Sequence, residues 1–230
     1  MINPFAVILP SAGSGERFGS YLPKQYHEIN GKLVLDYSLE LFLSFKECKR
    51  VVIAISDSDN FHHNLAKDER VIFVKGGSDR ASSVKSSFDS LVSSGFAYDV
   101  LIHDSARPCL KQNIVEKFLE AFAVSECSGM IFASPCYETL KLSKDGKEIN
   151  YTQDRSLIWR AETPQIFNFQ SLKDAYDKFK GNLSILTDEA GLFDELENKV
   201  LLFKNTSNNL KITLADDLKL AEYLMKETNN

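Results

Sequence analysis

Strand-length apolar runs alternate with amphipathic helical periods along this chain, and that alternation restricts its fold more than any other feature. Residues 5–9 (FAVIL), 51–55 (VVIAI), 71–74 and 100–103 are such runs, and VVIAI is continuously apolar, as in a strand covered on both faces. Between them, residues 36–47 offer a broad apolar face (Tyr37, Leu39, Leu41, Phe42, Leu43), and Val84, Phe88 and Leu91 recur at helical spacing within 80–92. Strands alternating with helices pair in parallel through right-handed crossovers and carry helices on both faces. The alternation continues with helices at 113–122 and 169–179 and strands at 130–133 and 200–203. A weaker helix is read at 57–67. Thr187 is read as the cap of a further helix, and Thr213 with Asp216 as a capping box ahead of the last one.

The expected fold is therefore α/β: a Rossmann-like, mostly parallel sheet with helices on both faces. Its 230 residues suit one domain, 1–230. One segment departs from the pattern. Residues 138–151 alternate around Leu140 and Leu142 and turn at Asp145-Gly146, a hairpin signal. A hairpin this polar needs support, so a β-arm at about 137–158 is expected to project from the sheet and pack on a second subunit. A surface flap on a monomer is the alternative.

A formal net charge of -5 argues against general nucleic-acid or membrane-surface binding, so an anion would have to be held locally. The four cysteines (Cys48, Cys109, Cys127, Cys136) form no C-x-x-C pair and suggest reduced thiols. No apolar run reaches the roughly 18 residues of a membrane span, and a soluble cytoplasmic protein is expected. In parallel sheets ligands bind beyond the carboxyl ends of the strands. Three polar clusters stand there: Pro10-Ser11-Ala12-Gly13-Ser14-Gly15 with Arg17 and Lys24 beyond, Gly76-Gly77-Ser78-Asp79-Arg80, and His103-Asp104-Ser105-Ala106-Arg107-Pro108. The first is laid out as an anion site. Gly13 and Gly15 let backbone N–H groups converge on a phosphate chain, and Arg17 and Lys24 add full charge. His103 reads as a satisfied core histidine, Trp159 as packing, and Cys109 lacks a histidine partner for nucleophilic work.

With these motifs, the chain resembles the 2-C-methyl-D-erythritol 4-phosphate cytidylyltransferases of the non-mevalonate isoprenoid pathway. The resemblance runs in order through PSAGSGERFGSYLPKQY, GGSDRASSV, HDSARP, DRSLIWRAETPQIF, LTDEA and NLKIT. The pair before the first glycine, often Ala-Ala, is Ser11-Ala12 here, and the usual HDAARP carries Ser105; both swaps are small for small. The resemblance implies CTP and Mg²⁺ as requirements and a homodimer through the arm. It also implies site roles. Arg17, Lys24, Asp104, Arg155 and Lys211 would be catalytic; Pro10, Ser11, Ala12, Gly13, Gly15, Gly77, Arg80 and Ser83 would hold the nucleotide. Arg107, Thr139, Thr163 and Thr187 would hold the second substrate. Asp104 would stand near the metal, through water, or bond a substrate hydroxyl. Arg155 and Thr139, on or beside the arm, would reach the partner's site. Ribitol-5-phosphate cytidylyltransferases share the PKQ and HD-x-x-RP blocks and are the nearest alternative; a nucleotide-binding module without catalysis is the other.

Overall fold

The computed structural model describes residues 1–13, 18, 19, 21–65 and 67–227. In chain order the elements are β1 (Phe5–Pro10), β2 (Glu28–Ile29), β3 (Lys32–Leu33), α1 (Val34–Leu43), β4 (Cys48–Ile55), β5 (Val71–Lys75), α2 (Arg80–Ser93), β6 (Asp99–Ile102) and α3 (Gln112–Ala123). They continue as β7 (Gly129–Pro135), β8 (Lys141–Leu142), β9 (Tyr151–Thr152), β10 (Trp159–Phe167), α4 (Phe169–Lys178), β11 (Val200–Lys204) and α5 (Asp216–Glu227). Seven strands form one sheet in the order β11-β7-β10-β6-β1-β4-β5. Only β10 runs against its neighbours, antiparallel to both β6 and β7. The expected α/β sheet is present, with one reversed strand inside it.

Strand β1 shows how the sequence builds both layers. Its side chains alternate, so Phe5, Val7 and Leu9 pack with Leu35, Leu39 and Phe42 of α1 and Val115, Phe118 and Phe122 of α3. Ala6 and Ile8 face the opposite layer, with Val84, Phe88 and Leu91 of α2 and Leu172 and Ala175 of α4. A smaller cluster joins Phe18, Ile29, Val34 and Ala106 to Ile212 and Ala221, and seats α5 beside the strand ends. Among the described residues no helix is long and apolar enough to cross a membrane.

Several local expectations are corrected. Among the described residues, the helix read at 57–67 is reduced to the 3-10 turn His62–Asn64, since apart from Phe61 and Leu65 its polar residues give no continuous buried face. The helix start near Thr187 is the five-residue 3-10 turn Glu189–Phe193, capped by Asp188, whose carboxylate accepts from Gly191 N–H. At α5 the capping carboxylate is Asp217, which accepts Thr213 N–H (2.7 Å) and Leu214 N–H (2.8 Å), rather than Asp216. Two features were not foreseen. Asn30 and Gly31 both take positive φ (51° and 75°) and join β2 to β3 as a tight hairpin. Strand β10 also escaped, since Pro164 sits inside it and the ladder with β7 breaks between Ala161 and Gln165. The arm is a short ladder, Lys141 opposite Thr152 and Leu142 opposite Tyr151, with Asp145 Oδ1 accepting two backbone N–H groups at the turn.

Candidate active site

The loops following β1, β5 and β6 meet at one end of the sheet. Leaving β1, Ser11 N–H donates to Ala54 O (2.8 Å), and Ser11 O accepts Gln25 Nε2 (2.7 Å). Leaving β5, Gly76 N–H donates to Ile55 O (2.8 Å). A side chain does not fit here: a Cβ on Gly76 would lie 2.4 Å from Ala12 Cβ and 2.9 Å from Ser83 Oγ. Glycine is what lets the two loops touch. Helix α2 then starts with a capping box, Ser82 N–H donating to Asp79 Oδ1 (2.8 Å) and Asp79 N–H to Ser82 Oγ (3.1 Å). Ser83 Oγ donates to Asp79 O (2.8 Å) and accepts Gly77 N–H (3.1 Å), which fixes the loop and puts Arg80 in the first turn.

Asp104, at the end of β6, is the centre of the charge arrangement. Its Oδ1 accepts Arg80 Nε (3.0 Å), and its Oδ2 lies 3.2 Å from Arg107 Nε and 2.9 Å from Lys211 Nζ. Burial alone would raise the pKa of this carboxyl, but the fields of Arg80, Lys211 and Arg107 prevail and hold it far below the usual carboxylate range. Arg80 continues to Glu189 through a two-point pair (2.9 and 3.0 Å). Arg107 Nη1 donates to Asn209 O (2.8 Å). Within this network three cations face two carboxylates, and Lys24 brings a further cation where it lines the large cavity, as Asp79 also does, and donates to Ile212 O (2.8 Å).

A cavity of ≈ 780 Å³ opens over these groups, large enough for a nucleoside triphosphate. Of the predicted residues, Pro10, Ala12, Gly13, Lys24, Gly77, Arg80, Ser83, Asp104 and Lys211 line it. Ser11 sits behind the wall, buried, and acts through its backbone. Gly15 and Arg17 lie outside the described residues. A second cavity of ≈ 130 Å³ is lined by Arg107, Thr163 and Thr187 and shares Arg80, Asp104 and Lys211 with the first. Thr163 has a structural task as well: its Oγ1 accepts Asp104 N–H (3.0 Å) and so locks the end of β6 to β10. Thr139 and Arg155 are both exposed on the arm, where Arg155 Nη1 donates to Tyr137 O, and neither lines these cavities.

The described side chains do not offer a resident metal a site of their own. Among the described residues no cluster of His, Cys, Asp or Glu has the makings of a metal site. Both Asp104 oxygens face cations, Oδ1 toward Arg80 and Oδ2 toward Arg107 and Lys211.

Sequence reasoning assigned no role to Glu189, Gln25 or Asn209. Glu189 follows the helix cap read at Thr187, and its pairing with a residue 109 positions away leaves no local trace. His103 is fully buried, with Nδ1 3.2 Å from Thr163 Oγ1, but Nε2 has no partner, so the expected satisfied histidine is only half satisfied. Burial pushes its pKa down from 6.5 to about 3. Being neutral when folded and charged when unfolded, His103 takes up a proton on unfolding, so its stabilisation is lost as pH falls from 6.5 towards 3. The expected slope is about 1.4 kcal/mol per pH unit, absent from a His103→Gln variant. Denaturant titrations of both proteins across that window check it; equal slopes would contradict it.

A mostly parallel sheet whose strand ends converge on a triphosphate-sized, cation-rich cavity, with a second polar cavity sharing its wall, defines a nucleotidyltransferase. Comparisons with known proteins narrow the class. The sequence profile of 2-C-methyl-D-erythritol 4-phosphate cytidylyltransferase matches residues 5–227. The curated enzyme of that name from Haemophilus ducreyi is 36% identical over 227 residues, covering 98% of this chain and 97% of the relative. One from Aliivibrio fischeri is 39% identical over 223 residues, covering 96% and 93%. Among solved structures, a 4-diphosphocytidyl-2C-methyl-D-erythritol synthase superposes with a TM-score of 0.81 at 29% identity, covering 98% of this chain and 100% of the other. The Francisella tularensis 2-C-methyl-D-erythritol 4-phosphate cytidylyltransferase gives 0.81 at 28% identity, covering 96% and 100%. The chain belongs to the 2-C-methyl-D-erythritol 4-phosphate cytidylyltransferase family.

Proposed function

We propose that this protein transfers CMP from CTP to 2-C-methyl-D-erythritol 4-phosphate, giving 4-diphosphocytidyl-2-C-methyl-D-erythritol and pyrophosphate, as one nucleotidyltransferase domain. The observation that carries this is the shared wall: Arg80, Asp104 and Lys211 line both the large cavity and the small one. Two anionic substrates on either side of one charge cluster are held close enough to react.

The acceptor phosphate is already largely dianionic at neutral pH, its second pKa being about 6, so no side chain has to activate it. What the protein supplies is charge compensation and alignment. An acceptor phosphate oxygen forms a bond to the α-phosphorus of CTP as the bond to the bridging oxygen breaks, and pyrophosphate leaves with that electron pair. Lys24 stabilises charge at the α-phosphoryl group; the family resemblance adds Arg17. Lys211 and Arg107 hold the acceptor phosphate, and the fixed carboxylate of Asp104 keeps their charges in place and accepts from a substrate hydroxyl. Thr163 and Thr187 border that half. The backbone from Pro10 to Gly13 cradles the phosphates, the family resemblance adding Gly15, and Gly77, Arg80 and Ser83 set the loop that reads the cytosine edge. Magnesium enters as the counter-ion of CTP, as part of the substrate.

Arg155 and Thr139 complete the acceptor site of a second subunit in a homodimer. The exposed Tyr137, Leu142, Tyr151, Leu157 and Trp159 on and beside the arm support this, since they give it an apolar surface to bury. A monomer by light scattering at assay concentration would contradict it. The function itself is tested by pairing each of the four nucleoside triphosphates with methylerythritol phosphate, ribitol 5-phosphate and other sugar phosphates. Pyrophosphate release is expected with CTP and methylerythritol phosphate. Equal or faster turnover of ribitol 5-phosphate would reassign the acceptor, and binding without any turnover would favour a regulatory module.

A further inference from the structure

Lys24 is carried by a single 3-10 turn, Lys24–Tyr26, which follows Pro23 and has no side-chain cap. Tyr26 N–H donates to Pro23 O (2.9 Å) and His27 N–H to Lys24 O (3.3 Å). So short a turn does not hold its own shape in water, and tertiary contacts must fix it. Gln25 Nε2 ties it to Ser11 O at the end of β1. On the other side, the Tyr26 hydroxyl donates to Asp59 Oδ2 at 2.5 Å.

That second anchor is itself braced. Asp59 Oδ1 accepts Phe61 N–H (3.0 Å) and His62 N–H (2.9 Å), and His62 Nδ1 lies 2.9 Å away. The Asp59 side chain is only 4% exposed, and the Tyr26 ring is buried against Phe61 with centroids 5.3 Å apart. Burial first, and then the Asp59 carboxylate, hold the phenol proton in place, so Tyr26 remains a donor at any working pH. Charged hydrogen bonds of this kind are short and directional. Neither residue lines the large cavity.

We propose that Tyr26 and Asp59 are a positioning pair for cytidylyl transfer: their hydrogen bond holds the Lys24 turn so that the ammonium meets the α-phosphoryl group of the bound nucleotide. This rests on the cytidylyltransferase function proposed above. Tyr26→Phe keeps the ring and the charge of Lys24 but frees the turn. Because misplacement by about 1 Å costs up to about 100-fold, kcat is expected to fall about tenfold, with KM for CTP changed by less than about twofold.

A double-mutant cycle separates positioning from general structural support. In a Lys24→Ala background, adding Tyr26→Phe is expected to change kcat by less than about twofold, because the group it positions is gone. Asp59→Ala should match Tyr26→Phe, and Asp59→Asn, which retains an acceptor for the phenol, should restore most of the rate. An equal loss in both backgrounds, or an unchanged kcat for Tyr26→Phe, overturns the proposal. Wild-type protein that fails to consume CTP with methylerythritol phosphate would sink the functional assignment and the pair together. Wild-type turnover with an additive cycle would sink the pair alone.

Discussion

Lys24→Ala is expected to lower kcat about 100- to 1,000-fold, the scale seen when one preorganised group at a developing charge is removed. KM for CTP should stay within about threefold, since several other cations and backbone donors hold the ground-state triphosphate. The reason is geometric. Lys24 lines the large cavity together with Arg80 and Asp104, and its amino group is steadied by Ile212 O, so its charge is in place before substrate arrives. Charge fixed in advance needs no reorganisation during the reaction. Steady-state kinetics with varied CTP check this. A variant with unchanged kcat, or with a raised KM alone, would remove Lys24 from the transition state.

Arg80→Met has the largest expected effect on stability, a loss of about 3–5 kcal/mol, or about 10 °C in Tm for a chain of this size. Glu189 is 1% exposed, and the Arg80 guanidinium faces both its oxygens. Without Arg80 the carboxylate is left buried and uncompensated. Burial already pushes the Glu189 pKa up against the pull of Arg80, and in the variant the burial and the nearby Asp188 and Asp104 charges remain without that pull. A carboxyl whose folded pKa is raised keeps its stability contribution at low pH and loses it as pH rises through that value. The deficit of Arg80→Met should therefore shrink on acidification, and Arg80→Met/Glu189→Gln should recover most of it at neutral pH. Failure of the second substitution to recover stability would show that the loss comes from elsewhere, such as the Asp104 contact.

The layers of the fold were legible because they depend on local period: alternation in β1 and helical spacing in α2 and α3 state which face is buried. Strand β10 was illegible for a physical reason. Pro164 interrupts its hydrogen bonding, and its first three residues, Trp159 to Ala161, are exposed, so it lacks the apolar run of its neighbours. The Asn30-Gly31 hairpin was a different kind of miss, since that dipeptide is a strong turn signal, obscured here by strands of two residues each.

For the site, three clusters at strand ends could be read to converge because parallel topology sends those ends to one edge. The pairing inside the site could not. Asp104 was singled out, but its three cations arrive from α2, from the loop after β6 and from the segment before α5, and Glu189 joins from the connection after α4. Only the fold brings them within hydrogen-bonding distance. Arg155 and Thr139 stand apart from the cavities of their own chain.

The central claim is that the cavity at the strand ends brings the acceptor phosphate to the α-phosphorus of CTP. Phosphorus NMR of CTP and 2-C-methyl-D-erythritol 4-phosphate incubated with the protein tests it most directly. The account predicts that the acceptor's monoester resonance gives way to a diphosphate diester, with one pyrophosphate formed for each CTP consumed. Release of inorganic phosphate or CDP in its place, or loss of CTP with the monoester unchanged, would contradict it.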